Sequence, residues 1–221
     1  MEARGPIVAD RPLPPFDLLE TLRWTPDESF FLLARHLDRL TASAAFFRYT
    51  CDIDAVRAAL AGAVASADGA LRVRLLVARD GAVRVETMPL EMLPEPARLG
   101  LAPRPIDPAS PFLLHKTTNR AEQERDRSPA YDEMILWNPD RDVTEAMTAN
   151  VVAELDGRLV TPPIACGLLA GTLRAELLDE GTIEEARVPV ARLHEISRLW
   201  LINSVRGWRR AVLAEPMAER S

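Results

Sequence analysis

Leu113-Leu114-His115-Lys116-Thr117-Thr118-Asn119-Arg120 stands where this 221-residue chain changes character, and Lys116 is its only lysine. Of 27 Lys+Arg residues one is lysine, which leaves 26 arginines. A guanidinium stays protonated and is a poor nucleophile. A lysine amine shifts its pKa readily when buried and forms Schiff bases with carbonyl compounds. A chain that meets its other needs for positive charge with arginine, yet keeps one lysine, points to a need for an amine. The plainer alternative is a lone surface lysine left in an arginine-biased composition.

Just upstream, residues 89–111 hold Pro89, Pro94, Pro96, Pro103, Pro105, Pro108 and Pro111. Prolines this dense preclude a continuous helix and predict an extended connection, with one edge strand around Arg98–Pro103. The chain is therefore expected to divide at about residue 108, into domains 1–108 and 109–221. The fold class is α/β in the α+β sense: a small N-terminal α+β domain and a strand-rich C-terminal domain carrying Lys116.

In the first half, residues 1–15 are rich in proline and polar groups and read as a loose lead-in. Phe16–Trp24 is predicted as a strand, and Phe30–Phe47 as a helix from its apolar recurrence at Leu33, Leu37, Leu40 and Ala44. Asp52–Ser66 has the same period and starts on an aspartate suited to N-capping. Leu71–Ala78 and Ala82–Met88 flank Asp80-Gly81 as a hairpin. In the second half, Arg120–Arg127 is charged enough to be a solvated helix or loop. Asp132–Asn138 reads as a strand, and Thr148–Leu155 with Arg158–Thr161 forms a second hairpin about Asp156-Gly157. Thr172–Asp179 is predicted as a short helix between Gly171 and Gly181. Arg187–Val190 should be extended, Ala191–Ser197 a helical turn or two, and Trp200–Ser204 and Trp208–Leu213 strands.

A 48% hydrophobic and 27% charged composition is that of a soluble globular protein. The net charge of −6 argues against a general nucleic-acid binder, while leaving room for a local cationic pocket. No stretch approaches the roughly 18 apolar residues of a membrane span, and no signal peptide is expected. Cys51 and Cys166 are far apart and fit no metal spacing, so both are expected to be buried thiols in a cytoplasmic protein, with no metal site.

Three further groups lie where they could serve Lys116. Glu145 falls between two predicted strands. Gly167-Leu168-Leu169-Ala170-Gly171-Thr172-Leu173-Arg174 runs as a loop into a helix start, whose free N–H groups suit a phosphate. The Lys-Ser/Thr pair of a Walker loop is absent there. Arg39 lies in His36-Leu37-Asp38-Arg39-Leu40. Taken singly, each has a plainer reading: a solvated turn glutamate, loop punctuation before an N-cap, and an arginine on the wet face of a helix.

Their order, Arg39, Lys116, Glu145, Asn150, Gly171-Thr172, Ser204, resembles the class IV aminotransferases, the fold-type IV pyridoxal-phosphate enzymes. Within that family the resemblance is closest to the 4-amino-4-deoxychorismate lyases. It is carried by PFDLLETLRW (15–24), HLDRL (36–40), HKTTNR (115–120), EMILWN (133–138), TEAMTANVVAELDGRLVTPP (144–163), CGLLAGTLRAELL (166–178) and WLINSVRGW (200–208). The resemblance implies a pyridoxal 5'-phosphate cofactor in a cleft between two domains, a homodimer, and an aminodeoxychorismate synthase as a candidate partner. It implies that Lys116 is catalytic and holds the cofactor through its amine, and that Glu145 faces the pyridine nitrogen. Arg39, backbone N–H groups of Thr172 and Leu173, and hydroxyls of Thr172 and Ser204 would hold the phosphate. Leu169 would pack on a ring face, with Asn150 supporting Glu145. Arg104 is a candidate for a substrate carboxylate. Two departures stand out: Leu173 sits where the family often has a hydroxyl residue, and the Gly-Asp often found ahead of the first strand is missing. The implied reaction is release of pyruvate to leave 4-aminobenzoate for folate synthesis. Rival readings are a transaminase for branched-chain or D-amino acids, and a non-catalytic binding partner that keeps the fold.

Overall fold

A computed structural model describes residues 14–214, so most of the proline-rich lead-in lies outside the described residues. The chain opens with β1 (Leu18–Thr25), β2 (Ser29–Phe30), α1 (Leu33–Phe47), α2 (Ile53–Val64), β3 (Leu71–Val77) and β4 (Val83–Pro89). These strands form an antiparallel sheet in the order β2-β1-β3-β4. Alternation sends Leu18, Leu22, Val73, Leu75 and Val77 to the face covered by α1 and α2, where they meet Leu37, Leu40, Val56 and Leu60. Leu19, Thr21, Arg72 and Arg74 point to the opposite face. The predicted cap on α2 is present: Asp52 Oδ1 accepts from the N–H groups of Asp54 and Ala55 at 3.0 and 3.2 Å, an arrangement worth about 1 kcal/mol.

The second half contains β5 (Ala97–Leu101), α3 (Pro111–Leu114), α4 (Ala121–Glu124), β6 (Glu133–Trp137), β7 (Val143–Ala146), β8 (Asn150–Leu155), β9 (Arg158–Thr161), α5 (Thr172–Asp179), β10 (Glu184–Glu185), β11 (Arg198–Asn203) and β12 (Gly207–Leu213). Its sheet runs β10-β9-β8-β11-β12-β5-β6-β7 around a core that includes Leu99, Ile135, Val151 and Leu201. The β8–β9 turn holds Asp156 and Gly157 both at positive φ, 53° and 75°, as a two-residue hairpin of type I′ demands.

Three sequence expectations are corrected. The strand within the proline-rich connection is β5, an interior strand paired in parallel to β12 and β6. Pro94, Pro96 and Pro103 flank it without interrupting it, so no ladder N–H is lost. It lies ahead of the expected division at residue 108, yet belongs to the larger sheet. Glu145 sits within the four-residue strand β7 and not in a turn. Cys166 is buried but Cys51 is only half-buried, and both are free thiols.

The Lys116 segment is stitched to the small sheet. The Leu19 N–H donates to the Lys116 carbonyl at 3.0 Å, the Thr118 N–H donates to the Asp17 carbonyl at 2.9 Å, and Leu18 bridges Thr117. The stretch that follows the proline-rich connection is thereby pinned beside β1, between the two sheets. Among the described residues no helix is long and apolar enough to cross a membrane.

Candidate active site

The uncovered face of the small sheet does not end in open solvent. Leu19, Thr21, Arg72 and Arg74 form one wall of a cavity of about 330 Å³, and Lys116, Glu145, Asn150, Leu169, Thr172 and Ser204 line it from the other side. The volume lies within the size range of small-molecule sites. Six residues far apart in sequence thus converge because β1 holds the lysine segment, β7 and β8 end together, and α5 starts beside them.

Lys116 is reachable from the cavity but otherwise surrounded by protein. Burial, reinforced by the charges of Arg39 and Arg120, lowers its pKa from 10.5 to about 8. Desolvation penalises the ammonium form, so about a tenth of the amine is unprotonated at pH 7, far more than for an ordinary lysine.

Glu145 is only 6% exposed, and no cation lies within ion-pair distance among the described residues. Burial raises its pKa from 4.5 to about 8, against the opposing pull of the Leu169 N–H, Arg120 and Lys116. Its Oε2 accepts from the Leu169 N–H at 3.3 Å and more weakly from Asn150 Nδ2 at 3.4 Å. Asn150 also donates to the Leu169 carbonyl at 2.9 Å, so one amide braces both the carboxyl and the loop. Gly171 is required here, because a Cβ would lie 1.9 Å from Asn150 Oδ1.

The first N–H groups of α5, at Thr172, Leu173 and Arg174, have no intrahelical acceptor, as at any helix start. A buried cluster fixes this end. Glu20, 1% exposed on the inward face of β1, accepts from Arg39 at 2.8 and 2.6 Å and from His36 Nδ1 at 2.6 Å. His36 Nε2 meets the Thr172 hydroxyl at 3.2 Å, and Arg39 donates to the Ala170 carbonyl at 3.0 Å. Burial alone would raise the Glu20 pKa, yet Arg39 and His36 hold it down at about 2. Three of the five Arg39 N–H donors are used in this way, which leaves two for an anion.

The structure thus brings Arg39, Lys116, Glu145, Leu169, Thr172 and Ser204 to one cavity. The Leu173 side chain does not reach it: it packs with Val152, Leu177 and Ile202, leaving only its backbone at the helix start. Arg104, the candidate for a substrate carboxylate, is not among the residues that line this cavity. It lies outside because Asp126 holds its guanidinium at a largely exposed position. Sequence reading assigned no role to Glu20, Arg72, Arg120 or Arg206. Glu20 carried a signal, since it occupies an inward register of β1, where a charge needs a partner.

A family model described as amino-transferase class IV matches residues 17–213. A curated protein of Schizosaccharomyces pombe, provisionally named an aminodeoxychorismate lyase, is 34% identical over 179 residues, 76% of each chain. A crystal structure of a Mesorhizobium loti protein, provisionally named an amino-acid aminotransferase, is 38% identical. It superposes with a TM-score of 0.84 over 90% of this chain and 100% of that one. The 4-amino-4-deoxychorismate lyase of Pseudomonas aeruginosa is 25% identical, with a TM-score of 0.73 over 98% of this chain and 93% of that one.

Proposed function

The chain belongs to the class IV aminotransferases, a family of pyridoxal-phosphate-dependent enzymes, and on that footing we propose that it is a 4-amino-4-deoxychorismate lyase. It would release pyruvate and leave 4-aminobenzoate, feeding folate synthesis. The observation that carries this reading is a single amine and a cation-free buried carboxyl sharing one cavity, in a chain 34% identical to the S. pombe protein.

The donor set fits pyridoxal phosphate. Bound, the group supplies an aldehyde to Lys116 and a pyridine ring that accepts electrons. The free N–H groups at the start of α5, the two remaining N–H donors of Arg39 and the Ser204 hydroxyl are suited to its phosphate. Leu169 offers an apolar contact for a ring face. Glu145, protonated up to about pH 8, is suited to share its proton with a ring nitrogen. With the cofactor bound, the Lys116 amine would act as general base and take the proton from the ring carbon that bears the substrate's amino group. The bond between the ring carbon and the enolpyruvyl oxygen would break, the departing enolate would take up a proton, with Lys116 as the acid in reach, to leave as pyruvate, and aromatisation would make the step effectively irreversible. The same reading includes a homodimer, a cytoplasmic setting and an aminodeoxychorismate synthase as the source of substrate.

A second reading is a transaminase, favoured by the higher identity to the M. loti protein. It would use the same cofactor residues and return the proton from Lys116 to a different carbon. Incubation with aminodeoxychorismate decides between them. The lyase reading expects equimolar pyruvate and 4-aminobenzoate. Amino exchange between an amino acid and a keto acid, with no 4-aminobenzoate formed, would establish the transaminase. A protein that stays colourless with added pyridoxal phosphate would support a non-catalytic role.

A further inference from the structure

Six arginines line the cavity: Arg39, Arg72, Arg74, Arg120, Arg127 and Arg206. Four have a carboxylate within ion-pair distance, Arg39 facing Glu20, Arg74 facing Glu86, and Arg120 and Arg127 sharing Glu124. Arg72 and Arg206 have no such partner among the described residues. Arg72, on β3, reaches only the weakly accepting Met88 sulfur at 3.3 Å. Arg206, in the turn between β11 and β12, has its Nε buried with no hydrogen-bond partner. Both are half-buried, and burial lowers the pKa of each, with Arg206 and Arg74 adding repulsion at Arg72. Arg209 adds repulsion at Arg206, where the longer-range pull of Glu133 and Glu91 does not offset burial. Two guanidiniums without a carboxylate partner among the described residues, one from each sheet, therefore line the same cavity, and the charge of Arg206 bears on Arg72.

We infer that Arg72 and Arg206 form a carboxylate clamp that takes an acid group of the substrate, away from the phosphate-holding start of α5. The inference rests on the proposed function, because it assumes that the substrate enters this cavity with its amine toward Lys116. An anion between two half-buried guanidiniums cancels the repulsion and receives charge-assisted hydrogen bonds. Because the two arginines come from different sheets, the bound carboxylate also ties the small sheet to the large one. The preferred substrate class is a ring compound with an amine at one end and a carboxylate at the other.

Calorimetric titration of the pyridoxal-phosphate-loaded protein with 4-aminobenzoate, and with 4-aminobenzamide as its uncharged control, tests the clamp. The carboxylate is expected to bind at least about tenfold tighter than the amide. Arg72→Gln and Arg206→Gln should each lose about tenfold to a hundredfold in carboxylate affinity, with no change toward the amide. Arg72→Lys, which keeps the charge, should recover part of the loss. Both glutamine variants should fold with at least wild-type stability in urea, since each removes a repelling charge. Unchanged carboxylate affinity in both would overturn the clamp. So would a loss of affinity for inorganic phosphate or pyridoxal phosphate in place of the carboxylate, which would assign the pair to the phosphate. If the wild-type protein takes up no pyridoxal phosphate, the proposed function falls, while the same titration of the unloaded protein still decides the clamp.

Discussion

Glu20 and Glu145 are the same side chain buried almost equally, 1% and 6% exposed, yet the fold holds them in opposite states of protonation. Glu20 faces the helices with Arg39 and His36 against it and stays ionised down to about pH 2. Glu145 faces the cavity with only an amide and a backbone N–H beside it, and keeps its proton up to about pH 8. Depth of burial therefore says little about charge; the partner decides. The cluster whose charges are closed within the fold braces the start of α5. The carboxyl left without a cation is the one poised to act on what enters the cavity, as perturbed groups at functional sites commonly are.

The largest effect expected is on the cavity side. Lys116→Ala should lower turnover by at least about 10⁴-fold, with urea unfolding of the unloaded chain unchanged or shifted to higher stability, because a desolvated cation is removed. Steady-state rates and unfolding curves measured together check this. Comparable losses in both would mean that the lysine is structural.

On the closed side the order reverses. Glu20→Ala leaves Arg39 and His36 buried without their anion and should cost about 3–5 kcal/mol of stability by urea unfolding. The Glu20 contribution is present above pH 4.5 and is lost as pH falls from there through about 2. A Glu20→Ala variant as stable as wild type at pH 7 would remove the contrast altogether.

Glu145 should behave with the opposite sign. Its folded-state pKa is raised, so its stability contribution is complete below pH 4.5 and is lost as pH rises through about 8. Glu145→Gln in the unloaded protein should match wild type near pH 4.5 and exceed it above pH 8, by on the order of 4 kcal/mol. Unfolding curves across that range provide the measurement, and parallel pH profiles for the two proteins would sink this side of the comparison. Smaller still, Asn150→Ala should cost about 1–2 kcal/mol by removing the amide that braces Glu145 and Leu169.

Much of this architecture was legible in the sequence for local reasons. Asp80-Gly81 and Asp156-Gly157 announced hairpins because those turns need positive φ, and Asp52 announced a helix start. Strand β7 was not legible: Val143–Ala146 is four residues long and wholly buried, so it shows no alternation. Strand β5 was expected among the prolines, but as an edge strand, because its two parallel partners lie far along the chain. At the site, Lys116 stood out by its uniqueness. The unpaired state of Arg72 and Arg206 could not be read from sequence, since 26 arginines look alike until the fold shows which have carboxylates beside them. Arg104 was singled out for the same reason and turned out to be engaged by Asp126.

The most direct test of the central claim uses the fact that the chain has one lysine side chain. Borohydride reduction of the protein mixed with pyridoxal phosphate, followed by peptide mass analysis, should place one cofactor adduct on Lys116. The Lys116→Ala variant should give no adduct within the cavity. Wild-type protein that carries no adduct at Lys116 under saturating cofactor would contradict the account.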